Sequence, residues 1–414
     1  MPDSDTAAPA DDDLRFLDGV RVLDFTQYLA GPACTRLMVE LGAEVIKVEA
    51  APGGDPTRTR VPQVDGRAGL FVQQNRGKKS LAVDLRRPEG VALVKELVRH
   101  VDVVVENATP GVMERKGLGY ADLAAVNPGI VMASISGFGQ WGPYRERRSF
   151  DFIAQAMTGL MHMTGEPDGP PYFVGVGIAD VSSGVHAFAG IMAALFRRDR
   201  TGRGAHVDVA MTDTMFHMHE FAVQASSITG DRTLPQRAGL HYQPAAPAGT
   251  FRVGDDWVVI LCTDQQIDAL WQAMARPDLA TDARFATNAD RLTNRAELTA
   301  IVEAWLATFA SADAAVEALA AAGVPAGKVM SPADAVDDPH FVARGTVREI
   351  HDPFIGTFHA PGFPIKFDGR PVEPDLVAPA LGQHNAEVLA GLLGWSADDV
   401  GAATAAGVLV ERDR

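Results

Sequence analysis

The feature that most constrains this chain is the regular exchange of short apolar runs with amphipathic stretches over its first third. Val20 to Phe25, Val45 to Val48, Leu81 to Leu85, Val101 to Val105 and Ile130 to Ser134 have strand length. Helical spacing fills Ala33 to Leu41 and residues 88–99, 110–116 and 120–126, and the Gly31-Pro32 step suits a first helical turn. Strands alternating with helices predict an α/β fold with a parallel sheet covered on both faces. The loops after the strand C-termini then form the default ligand edge.

Beyond residue 135 the pattern changes. Residues 149–161 and 180–198 read as helices, Thr201 to Gly204 as a turn, Val207 to Ala210 as a strand and 211–229 as one long helix. Residues 230–248 read as a linker. Two strands, Gly249–Val253 and Trp257–Leu261, open an Ala-rich helical region to about residue 323, and Pro325 to Met330 reads as a further strand. The predicted organisation is a polar tail (1–16), a large domain (17–212), a linker helix with a small α+β domain (213–324) and a C-terminal part (325–414) that returns to the large domain.

Charge excludes some functions. With 37 cationic and 53 acidic residues the chain carries a formal charge of −16, so its overall field repels nucleic acid. An anionic ligand must be held by local cations. No uninterrupted apolar run reaches the ~18 residues of a membrane helix; the longest, Val185 to Phe196, reads as a buried helix. The acidic start lacks the marks of a signal peptide, and two distant cysteines form no disulfide framework, so a cytoplasmic protein is expected.

Several kinds of chemistry find no motif. The turn after the first strand holds Gly31 but no Gly-x-Gly-x-x-Gly, and no Walker-type lysine loop exists, which disfavours NAD, flavin or ATP. No Cys/His spacing suggests zinc, and His217 and His219, two apart on a predicted helix, point in different directions, so no metal is expected. Two features remain, each open to two readings. Asp180, in Gly177-Ile178-Ala179-Asp180-Val181-Ser182-Ser183-Gly184, is either a helix cap or an ionised carboxylate poised as a nucleophile at a helix N-terminus. The cations Arg58, Arg60, Arg76, Lys78, Lys79, Arg86, Arg87, Arg115 and Lys116 are either a solvated face or a phosphate site.

A set of ordered motifs narrows the choice. Leu17-Asp18-Gly19-Val20-Arg21-Val22-Leu23-Asp24 is followed by Ala30-Gly31-Pro32 and by Leu41-Gly42-Ala43-Glu44-Val45-Ile46-Lys47-Val48-Glu49. Asn75-Arg76-Gly77-Lys78-Lys79-Ser80 leads to Asp84-Leu85, then Val105-Glu106-Asn107, Pro110-Gly111, and Thr201-Gly202-Arg203-Gly204 before Val207-Asp208-Val209-Ala210-Met211. In order and spacing these pieces resemble the class III (CaiB/BaiF-type) coenzyme A transferases, a family that also contains formyl-CoA transferases and α-methylacyl-CoA racemases. The resemblance runs from about residue 17 to 394.

It implies a Rossmann-like large domain, a smaller domain, and an interlocked homodimer whose active sites lie between the large domain of one protomer and the small domain of the other. The family's nucleophilic aspartate falls on Asp180. Its CoA contacts fall on Tyr28, Leu29, Ala30, Lys78, Asn107, Ala108, Arg115 and Lys116, with Arg76 a further cation for the diphosphate and Arg148 where some transferases carry lysine. The implied function is CoA transfer between an acyl-CoA donor and a carboxylic acid acceptor, through an aspartyl anhydride and an aspartyl-CoA thioester, with CoA itself as substrate and no metal or redox cofactor.

Departures refine the expectation. Formyl-CoA transferases carry glutamine where this chain has Leu29, and their glycine-rich lid has no counterpart around residues 240–256, which points away from formate and oxalate toward a larger or more apolar acid. Phe150, Met157, Met161, Met163 and Phe173 are candidates for an acyl pocket. The competing activity is 2-methylacyl-CoA racemisation, but racemases carry His-Asp where this chain has Phe150-Asp151, and phenylalanine supplies no proton. A non-catalytic acyl-CoA-binding subunit is the other alternative.

Overall fold

The computed structural model describes residues 14–372 and 374–412; residues 1–13 of the expected polar tail lie outside them. The chain divides into two compact units. The larger takes the residues up to Thr158, Val174–His219 and Asp338 onward; the smaller takes Gly159–Phe173 and Glu220–Asp337.

The larger unit begins with β1 (Arg21–Asp24), α1 (Ala30–Glu40), β2 (Glu44–Ala50), a small hairpin of β3 (Gln63–Val64) and β4 (Arg67–Ala68), α2 (Gly69–Asn75) and β5 (Lys79–Val83). It continues with α3 (Pro88–Val98), β6 (Val103–Glu106), α4 (Val112–Arg115), α5 (Tyr120–Val126), β7 (Val131–Ser136) and α6 (Asp151–Met157). After α7 (Leu160–Met163), which belongs to the smaller unit, come α8 (Ile178–Thr201), β8 (Ala205–Ala210) and α9 (Met211–His217).

Six strands form one parallel sheet in the order β5-β2-β1-β6-β7-β8. The chain winds outward from β1 through β2 to β5, then restarts at β6 and winds the other way. The switch point lies between β1 and β6, and in open α/β sheets the crevice beyond the strand C-termini at such a point receives ligands. Val103, Val104 and Val105 are fully buried, as a strand covered on both faces requires.

Helix α8 runs through this unit. Among the described helices it alone is long and apolar enough to cross a membrane by composition. Here it buries Ala187, Ile191, Ala194 and Leu195 and packs on α1, β7 and β8. Gly184 permits the close approach to α1: a Cβ there would stand 2.6 Å from the Ala30 carbonyl oxygen and 2.9 Å from the Ala33 Cβ.

The smaller unit holds α10 (Ala222–Thr229), β9 (Ala248–Val253), β10 (Asp256–Leu261), α11 (Ile267–Ala273), α12 (Asn288–Thr293), α13 (Arg295–Leu306), α14 (Ala312–Ala321), β11 (Ala326–Lys328) and α15 (Pro332–Val336). Its core gathers Phe251, Val258, Ile260, Leu270, Val302 and Leu319. The helix expected over 211–229 is therefore two, α9 and α10, one in each unit. The strand expected at 325–330 pairs antiparallel with β10, so it closes the smaller unit's sheet, and the crossings fall at Glu220 and Asp338 rather than at 213 and 325. The last segment adds α16 (Pro339–Ala343), the hairpin β12 (Val347–Asp352) and β13 (Gly356–Pro361), α17 (Asn385–Leu393) and α18 (Ala397–Ala405).

Candidate active site at the sheet's switch point

The loops after β1 and β6 meet at the switch point and are stitched together. Asn107 Nδ2 donates to the Gln27 carbonyl at 2.8 Å, and Gln27 N–H donates to Asn107 Oδ1 at 2.8 Å. Ala108 N–H donates to Glu106 Oε2 at 2.7 Å. Glu106 is buried at the end of β6, and burial pushes it up to about 7. Tyr28 holds φ at +62°, a strained value for a non-glycine residue, with its ring 6.3 Å from that of Phe150 and edge-on to it.

A network beneath the first loop fixes its shape. Asp24 accepts from the Thr26 amide and hydroxyl, and its other oxygen pairs with Lys78 at 2.9 Å. Lys47 pairs with Asp55 at 2.9 Å and donates to the Thr26 carbonyl at 2.7 Å. Burial alone would raise Asp24, but Lys78, Lys47 and the Thr26 hydrogen bond hold it at about 2. Lys78 is thereby used up: its three donors go to Asp24, Thr35 and Asn75, and its side chain is fully buried. Arg76 is equally buried and bonds Glu40 and the carbonyls of Gln73 and Pro361. Both cations are spent on interior partners, Lys78 on Asp24 at the end of β1 and Arg76 on Glu40, which speaks against the expectation that both grip a CoA diphosphate. Their partners lie far away in sequence, and the fold turns these charges inward.

Other expected contacts sit where a ligand could reach them. A cavity of about 220 Å³ at the strand C-termini is lined by residues that include Gln27, Leu85, Arg86, Ala108 and Lys116. Lys116 donates to the Leu85 carbonyl at 3.2 Å. Arg115 is exposed on α4, beside Gly111, and Arg148 is exposed between β7 and α6. Leu29 precedes α1 and Ala30 begins it. Gln27 and Leu85 join this set only in three dimensions, while Arg86, one of the cations read as a possible phosphate site, lies with them on the cavity wall.

Asp180 occupies the first turn of α8 and does not cap it. That task falls to Asp151 of α6, whose Oδ1 accepts from the amides of Ala179 at 2.6 Å and Asp180 at 3.2 Å. Gln155 holds Asp151 through Oδ2 at 2.5 Å and accepts from the Val174 amide at 2.9 Å. The free amides of the helix start are thus spent on Asp151, not on the Asp180 carboxylate. Burial first, and the like charge of Asp151 second, push Asp180 up to about 7. The expected ready ionisation at a helix N-terminus is corrected on this point. Gly177 lies where the first loop and Asp180 meet: a Cβ there would be 2.7 Å from the Leu29 side chain and 3.6 Å from Asp180 Oδ2. Of the acyl-pocket candidates, Phe150 stands exposed beside Tyr28, and Met157 lines a cavity of about 490 Å³ with Phe138, Tyr144 and Phe216. Met161, Met163 and Phe173 belong to the smaller unit.

The family model for CoA-transferase family III matches residues 17–385. The chain belongs to CoA-transferase family III. The transferase is 40% identical over 389 residues to succinyl-CoA--D-citramalate CoA-transferase of Chloroflexus aurantiacus, covering 93% of this chain and 96% of that one. It is 40% identical over 367 residues to acetyl-CoA:oxalate CoA-transferase of Acetobacter aceti, covering 87% and 92%. A solved CAIB/BAIF family protein from Brucella suis superposes with a TM-score of 0.80 at 39% identity, covering 91% of the transferase and 99% of that chain. Among the transferase's described residues no group of three His, Cys, Asp or Glu side chains is placed to hold a metal ion.

Proposed function

We propose that this CoA-transferase works through Asp180 as a covalent nucleophile. The observation that carries the reading is the setting of that carboxylate: half-buried, beside the ligand-edge loop at Leu29, and faced by a second carboxylate rather than a cation. In this reading Asp180 Oδ attacks the donor thioester carbonyl and expels the CoA thiolate, leaving a mixed anhydride. The thiolate attacks the aspartyl carbonyl, releases the donor acid and forms an aspartyl-CoA thioester. The acceptor carboxylate attacks that thioester, frees the thiolate and makes a second anhydride. Attack of the thiolate on the acceptor's acyl carbon then yields the new acyl-CoA and restores Asp180. The nucleophile must be ionised to start, so activity rises with pH through about 7.

CoA in this reading lies along the first loop (Tyr28, Leu29, Ala30) and against Asn107, Ala108 and Lys116, with Arg115 and Arg148 as further phosphate contacts and Gln27 and Arg86 added. Two cytoplasmic protomers interlock, and exposed Phe150, Phe152, Val181 and Phe196 are apolar surface for such a union. D-citramalate and oxalate, named for two relatives, are short dicarboxylic acids. We therefore place the acceptor in that class, revising the leaning toward an apolar acid. Racemisation is not favoured: the relatives are transferases, and Phe150 offers no second acid or base.

The test is a donor–acceptor matrix of succinyl-CoA and acetyl-CoA against short dicarboxylic acids, run on the native protein and on Asp180→Asn. Transfer to a dicarboxylic acid by the native protein alone is expected. Turnover retained in Asp180→Asn removes the nucleophile assignment.

A further inference from the structure

At the far end of α1 from the active-site loops, Arg76 pairs with Glu40 while Arg36 and Arg348 lie close enough to repel it. Glu40 ends α1 just before β2, and Arg76 lies just before β5, so both sit at the strands' N-terminal edge. Helix α1, from Ala30 in the first loop to Glu40, carries Glu40 about 15 Å from that loop. Arg36 comes from α1, and Arg348 from β12 of the C-terminal hairpin. Arg76 is fully buried and Arg348 is 9% exposed.

The hydrogen bonds there do not close. Arg76 reaches one Glu40 oxygen, and Arg348 Nη2 donates to the Pro374 carbonyl at 2.8 Å. Among the described residues no acceptor reaches Arg36 Nε, Arg36 Nη1, Arg76 Nε or Arg348 Nη1, all of them buried atoms. Glu40 leaves only Oε2 over, a single acceptor for four donors. Buried donors without partners cost about 1–3 kcal/mol each, more when charged. The charge does not close either. Burial pulls Arg76 down to about 10, Glu40 opposing and Arg36 and Arg348 adding their repulsion. Guanidinium remains protonated, so among the described residues that act on Arg76, two like charges, Arg36 and Arg348, stand against one carboxylate, Glu40. A cavity of about 690 Å³ borders the cluster at Glu40, Gly77 and Pro374, with Arg15 and Asp375 also on its wall.

We propose that this cluster binds a small oxyanion, a phosphate or a short carboxylic acid, which accepts from the orphaned Arg36, Arg76 and Arg348 donors. Planar guanidinium donors match the paired oxygens of such an anion, which a spherical ion does not offer. The site is separate from Asp180, and this inference stands or falls apart from the transferase reading.

The test is thermal unfolding of the full chain with CoA at saturation, so that the cofactor-phosphate site is already filled. Sodium phosphate and sodium succinate are titrated separately, with ionic strength held constant by sodium chloride. A saturable rise in Tm of about 2–4 °C is expected, with the apparent affinity falling about tenfold or more in Arg36→Gln and in Arg348→Gln. A response to phosphate alone identifies a phosphate as the source, and one to succinate alone a short acid. No rise beyond the chloride control, or a rise unchanged in both variants, overturns the proposal. Should the variants fail to fold, crystals of the native protein soaked in selenate decide it. An anomalous peak within hydrogen-bond distance of Arg36, Arg76 and Arg348 supports the site, and water alone there refutes it.

Discussion

Two groups of carboxylates in the larger unit lie side by side in sequence logic and far apart in chemistry. Asp24, Glu49 and Asp55 are buried, and each meets a cation, in Lys78, Arg58 and Lys47. All three are held below the ordinary carboxylate range. Asp180 meets Asp151 instead and is pushed up. Burial acts in the same direction on both groups; the partner decides the outcome. The first group is scaffold, with charge balanced in the interior so that the β1–α1 loop keeps one shape. The second leaves charge unbalanced next to that loop. Unbalanced charge costs stability, and proteins tolerate that cost where reactivity needs it.

The comparison breaks most visibly at Asp180. Asp180→Asn is expected to lower kcat by about a thousandfold or more while CoA still binds. The same substitution should stabilise the fold. A carboxyl raised from its ordinary 3.8 to about 7 gives the native protein stability that is present below about pH 4 and lost as pH climbs through 7. The Tm advantage of Asp180→Asn is therefore absent near pH 4, grows up to about pH 7 and then levels off. An advantage independent of pH would contradict the account.

Next comes Lys78→Met, which takes the ion-pair partner from buried Asp24 and leaves it Lys47's charge and the Thr26 and Thr35 hydrogen bonds. Removing one partner of a buried ion pair costs about 3–5 kcal/mol, read as a lower denaturant midpoint. A change confined to CoA affinity, with the midpoint unmoved, would return Lys78 to the binding site. Asp151→Asn keeps an oxygen for the Ala179 and Asp180 amides but drops the charge. The acid limb of kcat/KM should then move down by about one pH unit, and an unmoved limb would show that Asp151 only caps the helix. Lys116→Ala makes the smallest change, a rise of about 2–5-fold in the CoA Kd that shrinks at high salt.

Much of the fold was legible because sheet burial writes itself as continuous apolar runs such as Val103–Val105. The break between α9 and α10 was not, since no glycine or proline marks residues 218–221. The place of β11 was hidden too: it depends on pairing with β10, more than sixty residues earlier. At the candidate site, Asp180, Asn107 and the first loop are motif positions that the fold brings near one another. Lys78 and Arg76 misled because their partners Asp24 and Glu40 lie 54 and 36 residues away, a relation that spacing cannot show. Asp151, 28 residues before the Ala179 amide it caps, was hidden for the same reason.

The central claim is that Asp180 becomes covalently acylated. The direct measurement is mass spectrometry of peptides from the native protein after turnover of succinyl-CoA in the presence of hydroxylamine, with Asp180→Asn treated in parallel. Hydroxylamine captures an aspartyl thioester or anhydride as a hydroxamate. The account predicts that modification on the Asp180 peptide, dependent on the acyl-CoA and absent in the variant. An unmodified Asp180 during confirmed turnover, or a hydroxamate on another carboxylate, would contradict it.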